Sequence, residues 1–451
     1  MSHDRDSQIL EVARAILREG VICDHCLGRQ FAKLSTGTTN LDRGRAIRLV
    51  LDMIASMSAD SDEADAGADT AVLGQGPEVE LESDTAPEPV HTGEPGQAKP
   101  ERCWVCNGVF EELGTWVSRS LKALDGCEHG NFLVGTRLSG LLSENEELLW
   151  EIVGTDYAEP LKSELNREVG KRISDTTQKG VDFTKPDVVA MLDLADATVQ
   201  LQIRSVYICG RYNKLVRGIP QTRWSCSACR GQGCEECGFT GQMNVESVEE
   251  LVATRVIDAL SAVDTVFHGA GREDVDARMM GSGRPFIIEV REPRTRSTDL
   301  AALTQEINEY CEGRVAVSGL TFVDREMVGK LKSMKHDKTY LATVSCAGVD
   351  QDALLRGLDT ITGTIRQRTP LRVIHRRADL VRVRKVYSTM LESFSEGCAV
   401  IKIECEAGLY VKELVSGDGG RTVPSLAGAT GAGVDMVVTA LDVVAVKDPV
   451  E

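Results

Sequence analysis

The alternation of apolar and polar positions opens with a helix. Within SQILEVARAILRE (7–19), Ile9, Leu10, Ala13, Ile16 and Leu17 fall on one face, with Ser7 placed as an N-cap. LDRGRAIRLVLDMIAS predicts a second helix. From 110 to 218 the periods mix. ENEELLWEIV and EPLKSELNREVGKRI read as helices, FLVGTRLSGLL as a strand, and PDVVAMLDLADATVQLQIRSVYICGRYNKL as two or three strands. A capping box, Ser247-x-x-Glu250, opens a strong helix through VEELVATRVIDALSAV. Beyond it, strand-like runs at 285–291, 314–322, 340–346, 372–386, 398–406 and 435–446 alternate with helical runs at 298–312, 325–334 and 350–355. That alternation predicts an α+β domain. No internal repeat is visible.

Residues 60–98 break the pattern. They hold 11 acids and no Lys or Arg, and their Pro, Gly, Ala and Glu cannot bury enough apolar area to offset ordering, so a disordered insert is expected. The 451-residue chain has a net charge of −18, which at first speaks against a nucleic-acid partner. Acids, however, are spread through every other region too, while lysines and aromatics are scarce. That composition suits a halophile, where salt screens carboxylate repulsion. No apolar run approaches the 18 residues a membrane span needs. MSHDRDSQ reads as neither a signal nor a transit peptide, and a cytoplasmic protein is expected.

Eight of the 14 cysteines stand in Cys-x-x-Cys pairs, a spacing that in a cytosolic chain points to metal before disulfide. Cys23 and Cys26, with Cys103 and Cys106 beyond the insert, supply four soft ligands for a tetrahedral zinc. The long connection is tolerated because closure entropy grows slowly with length. Four thiolates leave no open position, so such a zinc is structural; four buried reduced thiols are the plain alternative. Cys226, Cys229, Cys234 and Cys237, among Gly231, Gly233, Gly238 and Gly241, form a compact second quartet. Two half-sites or a redox pair compete with a second zinc there. His25 stands inside the first knuckle as a bystander.

The segment GREDVDARMMGSGRPF (271–286) places Glu273, Asp274 and Asp276 between Arg272 and Arg278 in a glycine-flanked loop. A solvated charged turn is the simplest reading. Flanking arginines could instead hold ionised carboxylates in fixed geometry, and glycines admit a large substrate close to the backbone. KTYLATV presents Tyr340, and GLYVKELVSGDGGRTVPSL presents Tyr410 and Lys412. From chemistry alone these say only that an aspartate nucleophile or base works beside aromatics and cations. RQRTPLRVIHRRADLVRVRK (366–385) holds eight Arg or Lys and one Asp, a phosphate track rather than a solvated face. Its alternation would point several arginines to one face of a strand.

These segments, behind an N-terminal Cys-x-x-Cys pair, resemble the archaeal THUMP-containing tRNA pseudouridine synthases that modify T-arm positions 54 and 55. The likeness runs along the chain outside the acidic insert. It implies an α+β multidomain protein: a zinc knuckle module (1–109), a THUMP-like RNA-binding domain (110–218) and a mixed-sheet catalytic domain (245–451); the second cysteine-rich zinc motif (219–244), like the acidic insert, departs from the family pattern. The Gly-Arg-x-Asp core of such enzymes makes Asp274, not Asp276, the nucleophile. The resemblance further implies that Tyr340 stacks on a flipped base and moves a proton, that Lys412 pairs with Asp274, and that Tyr410 lines the pocket. Arg272, Arg376 and Arg377 join Tyr340 and Tyr410 in holding substrate. No catalytic cofactor is implied, only structural zinc. The expected partner is the tRNA T-arm, with no membrane, for a monomer. Two other classes compete: a THUMP-containing methyltransferase or thiolation enzyme, for which VSGDGGRTVP is the only glycine-rich loop, and a non-catalytic zinc-ribbon RNA-binding protein.

Overall fold

The computed structural model describes residues 3–65, 101–375, 377–395, 397–431 and 435–447. The chain divides into two compact units, one of residues 1–125 and 130–202, the other of 126–129 and 203–451.

In the first unit α1 (His3–Arg18) begins before Ser7, which therefore sits inside the helix rather than capping it. The short α2 (Asp24–Gly28), capped by the Cys23 sulfur, packs on α3 (Asn40–Asp65). This approach depends on two glycines: a Cβ on Gly28 would lie 1.9 Å from the Asn40 carbonyl oxygen, and one on Gly44 would lie 2.0 Å from that of Asp24. Helix α3 carries residues 60–65, the first part of the expected insert; 66–98 lie outside the described residues. Next come α4 (Leu113–Leu124), β1 (Asn131–Arg137), α5 (Gly140–Val153), α6 (Leu161–Thr177), β2 (Gly180–Val181), β3 (Val188–Asp193) and β4 (Thr198–Ile203). The strands form a sheet in the order β2-β1-β3-β4, with β1 parallel to β2 and β3. Phe132, Val188, Ala190 and Leu192 bury one side of it with Leu165, Val169 and Ile173 of α6.

The second unit holds β5 (Val206–Lys214), α7 (Val248–Leu260), β6 (Asp264–Gly269), β7 (Ala277–Arg291), α8 (Leu300–Tyr310), β8 (Val315–Val323) and α9 (Glu326–Ser333). It continues with β9 (Lys338–Ser345), α10 (Gln351–Ile361), β10 (Gly363–Arg368), β11 (Val381–Ser395), β12 (Cys398–Cys405), α11 (Val411–Ser416), β13 (Thr422–Val423), α12 (Leu426–Thr430) and β14 (Val437–Val446). Ten strands make one sheet, ordered β13-β10-β11-β12-β9-β14-β7-β5-β8, with β6 on β7. Strand β5, inside the expected 110–218 segment, thus belongs to the larger sheet.

Two large apolar clusters lie in this unit, one with α7 and α8, the other with α10, α11 and α12, and Tyr340 packs against both; a smaller one joins Tyr207, Ala270, Ile287 and Leu331. The capping box forms as expected at one end: Ser247 Oγ accepts the Glu250 amide, while its hydroxyl donates to the Glu250 carboxylate at 2.7 Å. Two expectations shift. Strand β7 starts at Ala277 rather than 285, crossing a bulge where Gly281 (φ 59°) and Gly283 (φ 72°) adopt left-handed backbone. The expected strand 372–386 is a 3-10 turn at Leu371–Val373, then a loop, then β11 from Val381. Pro370 supplies no amide for a ladder, and side-chain bonds from Arg368 and Arg421 to Asp379 hold the loop instead.

Candidate active site

The loop between β6 and β7 gives its three acids three environments. Glu273 is buried against Arg284 Nε at 2.9 Å and accepts the Tyr212 hydroxyl at 2.9 and 3.0 Å. Asp274 is half-exposed, and Asp276 lies at the surface. The wholly buried Lys214 fastens the loop from beneath, donating to the carbonyls of Ile219, Asp274 and Val275 at 2.9–3.1 Å. Burial lowers its pKa, opposed by the charges of Glu273 and Asp276.

Two cations meet the Asp274 carboxylate. Lys412 Nζ and Arg372 Nη1 each lie 3.3 Å from Oδ2. Lys412, expected to pair with Asp274, makes its shorter contacts with Asp276, at 2.8 and 3.0 Å. Burial alone would raise the pKa of Asp276, but the Lys412 bond and charge outweigh it and hold the carboxyl below its usual range. Arg372 comes from the 3-10 turn at 371–373, its Nε bonded at 2.6 Å to the buried Glu413 and its guanidinium 5.8 Å from the centre of the Tyr410 ring. Tyr410 is fixed through its backbone: its amide donates to Gln367 Oε1 at 2.8 Å, and its carbonyl accepts from Nε2 at 2.9 Å. Tyr340, half-buried on β9, has its pKa raised by burial first and by Cys405 next, with Asp274 and Glu273 adding and Arg284 opposing. The phenol is therefore kept neutral, while Asp274 and Asp276 are both paired with Lys412.

The flanking arginines do not hold the loop acids as expected. Arg272 turns to the Trp224 ring, 6.0 Å from its centre, and Arg278 pairs with Asp442 at 2.6 Å. In the basic run, Arg368 pairs with Asp379 and Arg384 with Glu406. Arg382 and Arg384 do share a face of β11, while Arg377 is exposed in the loop and Arg376 lies outside the described residues. Sequence reasoning missed Arg372 and Glu413. The only available signal was the position of Glu413 beside Lys412.

Both cysteine quartets close. In each, the four sulfurs lie within 4.8 Å of one another. Cys23 to Cys106 is 3.7 Å, and the 226–234, 229–237 and 234–237 pairs are 3.8 Å. Zinc 2.3 Å from four sulfurs in a tetrahedron requires a separation of about 3.8 Å. Amides of Cys26, Gly233, Cys234 and Gly241 donate to the sulfurs, as thiolates need. Both sets could hold a structural zinc. His25 is no ligand: Nδ1 meets Glu164 at 2.7 Å and the ring stacks on Phe110.

Comparison with known proteins gives the family. A family model described as Pus10, C-terminal, matches residues 207–447, more than half of the chain. The chain belongs to the Pus10 family. The model of the archaeal Pus10 THUMP domain matches residues 116–193, in the first unit. The chain is similar to the tRNA pseudouridine synthase Pus10 of Methanothrix thermoacetophila, 49% identical over 428 residues, 93% of this chain and 91% of that protein. It is also similar to that of Halorubrum lacusprofundi, 42% identical over 449 residues (97% and 96%), and that of Pyrococcus furiosus, 36% over 448 (98% and 99%). As a member of the Pus10 pseudouridine synthases the chain is an isomerase, which sets aside the non-catalytic reading.

Proposed function

We propose that the chain isomerises uridine to pseudouridine in the tRNA T-arm, at positions 54 and 55, with Asp274 as the reacting carboxylate. The observation that carries this is the placement of Asp274, half-open to solvent, with Lys412 and Arg372 each 3.3 Å from its carboxylate. A carboxylate, unlike a carboxylic acid or an amide, can attack or abstract a proton. In the reaction the N1–C1′ bond of uridine breaks and a C5–C1′ bond forms; the C5 proton leaves and N1 gains one. A base paired in the T-arm must first leave its stack, and Tyr340, with Tyr410 at the rim, offers it an aromatic surface. The chemistry needs no organic cofactor, and zinc in the quartets serves the fold. Arg272, Arg377 and the outward arginines of the basic run contact phosphates, and the THUMP domain holds another part of the tRNA. The protein works as a cytoplasmic monomer in concentrated salt, which screens its charge of −18.

Position choice is tested with tRNA transcripts tritiated at C5 of uridine. Replacing uridine 54 or 55 by cytidine should halve tritium release, and replacing both should abolish it. Undiminished release from the doubly replaced transcript would sink the assignment.

A further inference from the structure

We propose that Glu273, the acid immediately before Asp274, is a positioning residue that directs Asp274 through a buried charge cluster with Arg284 and Tyr212. The proposal rests on Asp274 being the reacting carboxylate. Glu273 and Arg284 have side chains 1% exposed, in a chain whose acids crowd the surface. Stability does not account for such a pair, since apolar residues of the same volume serve a core as well or better.

The cluster instead pins the loop. Arg284 Nη1 donates to the Ala270 carbonyl at 2.8 Å, and its Nε, 2.9 Å from Glu273 Oε2 but off the N–H axis, is paired by charge. The Tyr212 hydroxyl donates to Glu273 and accepts from Gln221 Nε2 at 2.7 Å, and Gln221 also reaches the Gly271 carbonyl at 3.0 Å. Tyr212 and Arg284 are register partners on β5 and β7, so the sheet itself carries the anchor. Two glycines make room. A Cβ on Gly269 would lie 2.5 Å from Gln221 Nε2, and Gly271 has φ 79° with Arg284 Nη1 3.3 Å from its Cβ position. Residues 270–273 are thereby fixed ahead of Asp274, and Lys214 holds the carbonyls of 274 and 275. Burial changes between the two neighbours: Glu273 is enclosed and Asp274, next to it, is half-exposed. Locking Glu273 inward aims Asp274 outward, between Arg372 and Lys412.

The test measures initial rates of C5-tritium release over a range of tRNA transcript concentrations on full-length protein, for Glu273→Gln, the apolar double variant Glu273→Met/Arg284→Met, Tyr212→Phe and Asp274→Asn. A displaced carboxylate should lower kcat on the order of 10²-fold in the first two and less in Tyr212→Phe, with KM within about threefold of the parent. Should Glu273→Gln fail to fold, the double variant and Tyr212→Phe, which leave no unpaired buried charge, carry the result. Parental kcat in every folded variant overturns the proposal, as does a loss confined to KM. Turnover retained by Asp274→Asn would instead remove the reading of Asp274 on which it stands.

Discussion

The cysteine quartets and the charged pocket are built on opposite plans. Each quartet brings its own scaffolding, since the amides that support its sulfurs lie in the same short knuckles. The charged site draws Asp274, Arg372 and Lys412 from three separate segments, and only the folding of the second unit around its ten-stranded sheet puts them side by side. The quartets differ between themselves as well. The first joins cysteines 83 positions apart and buries three of its four, whereas the second lies within 226–237 with three only half-buried. Ligands that close a unit make metal part of folding. Charged side chains carried by the loop, turn and helix around a finished sheet can be lost at the expense of chemistry alone. Variants of the first, buried quartet should therefore fail by unfolding, and variants of the charged site by turnover.

The largest effect should come from Cys103→Ser with Cys106→Ser. Zinc analysis should fall from two equivalents to one, and the first unit should lose its cooperative melting transition, because structural zinc contributes roughly 10–16 kcal/mol of binding free energy at neutral pH. A parent with a single equivalent would remove the second site.

Next in size are Lys412→Ala and Arg372→Ala. Each should lower turnover on the order of 10²-fold while leaving the melting transition in place at neutral pH. Lys412→Ala adds an acid signature. The Asp276 carboxyl is held below its usual range against the opposing effect of burial, so its bond stabilises the fold above the ordinary carboxylate pKa and is lost as pH falls through the depressed one. Without Lys412 that window closes, and acid unfolding should begin at higher pH than in the parent. Unfolding of either variant at neutral pH would break the comparison.

Cys234→Ser should remove the second zinc but shift melting by only a few degrees, about 1 kcal/mol, since the knuckle organises one exposed loop. The smallest effect concerns Tyr340. Burial keeps its phenol protonated beyond the ordinary value of 10.0, so turnover should show no loss from this group up to that pH. A basic limb that sets in lower and disappears in Tyr340→Phe would contradict the buried placement.

Sequence legibility followed the same division. Each Cys-x-x-Cys knuckle and the Ser247 cap depend on residues a few positions apart, and spacing alone revealed them. Tyr340 and Lys412 became legible through resemblance to a family. Arg372 did not, because it is one of eight cations in 366–385 and only the 3-10 turn after Pro370 turns it towards Asp274. Glu273 looked like its neighbours until Arg284 and Tyr212, on two other stretches of chain, enclosed it. The strand expected over 372–386 misled because Val381 and Val383 continue an alternation that the loop before them does not share; both valines are in fact exposed. Local chemistry is written in sequence, and pairing across a sheet is not.

The most direct measurement is C5-tritium release from tRNA transcript by Asp274→Asn beside Asp276→Asn, with melting and tRNA affinity recorded for both. Asp274→Asn should fold and bind tRNA yet release no tritium, because an amide is neither nucleophile nor base. Asp276→Asn should lose part of its stability or rate and keep turnover. Full release by Asp274→Asn would contradict the mechanism, and release lost only in Asp276→Asn would move the reacting carboxylate to the residue that Lys412 touches most closely.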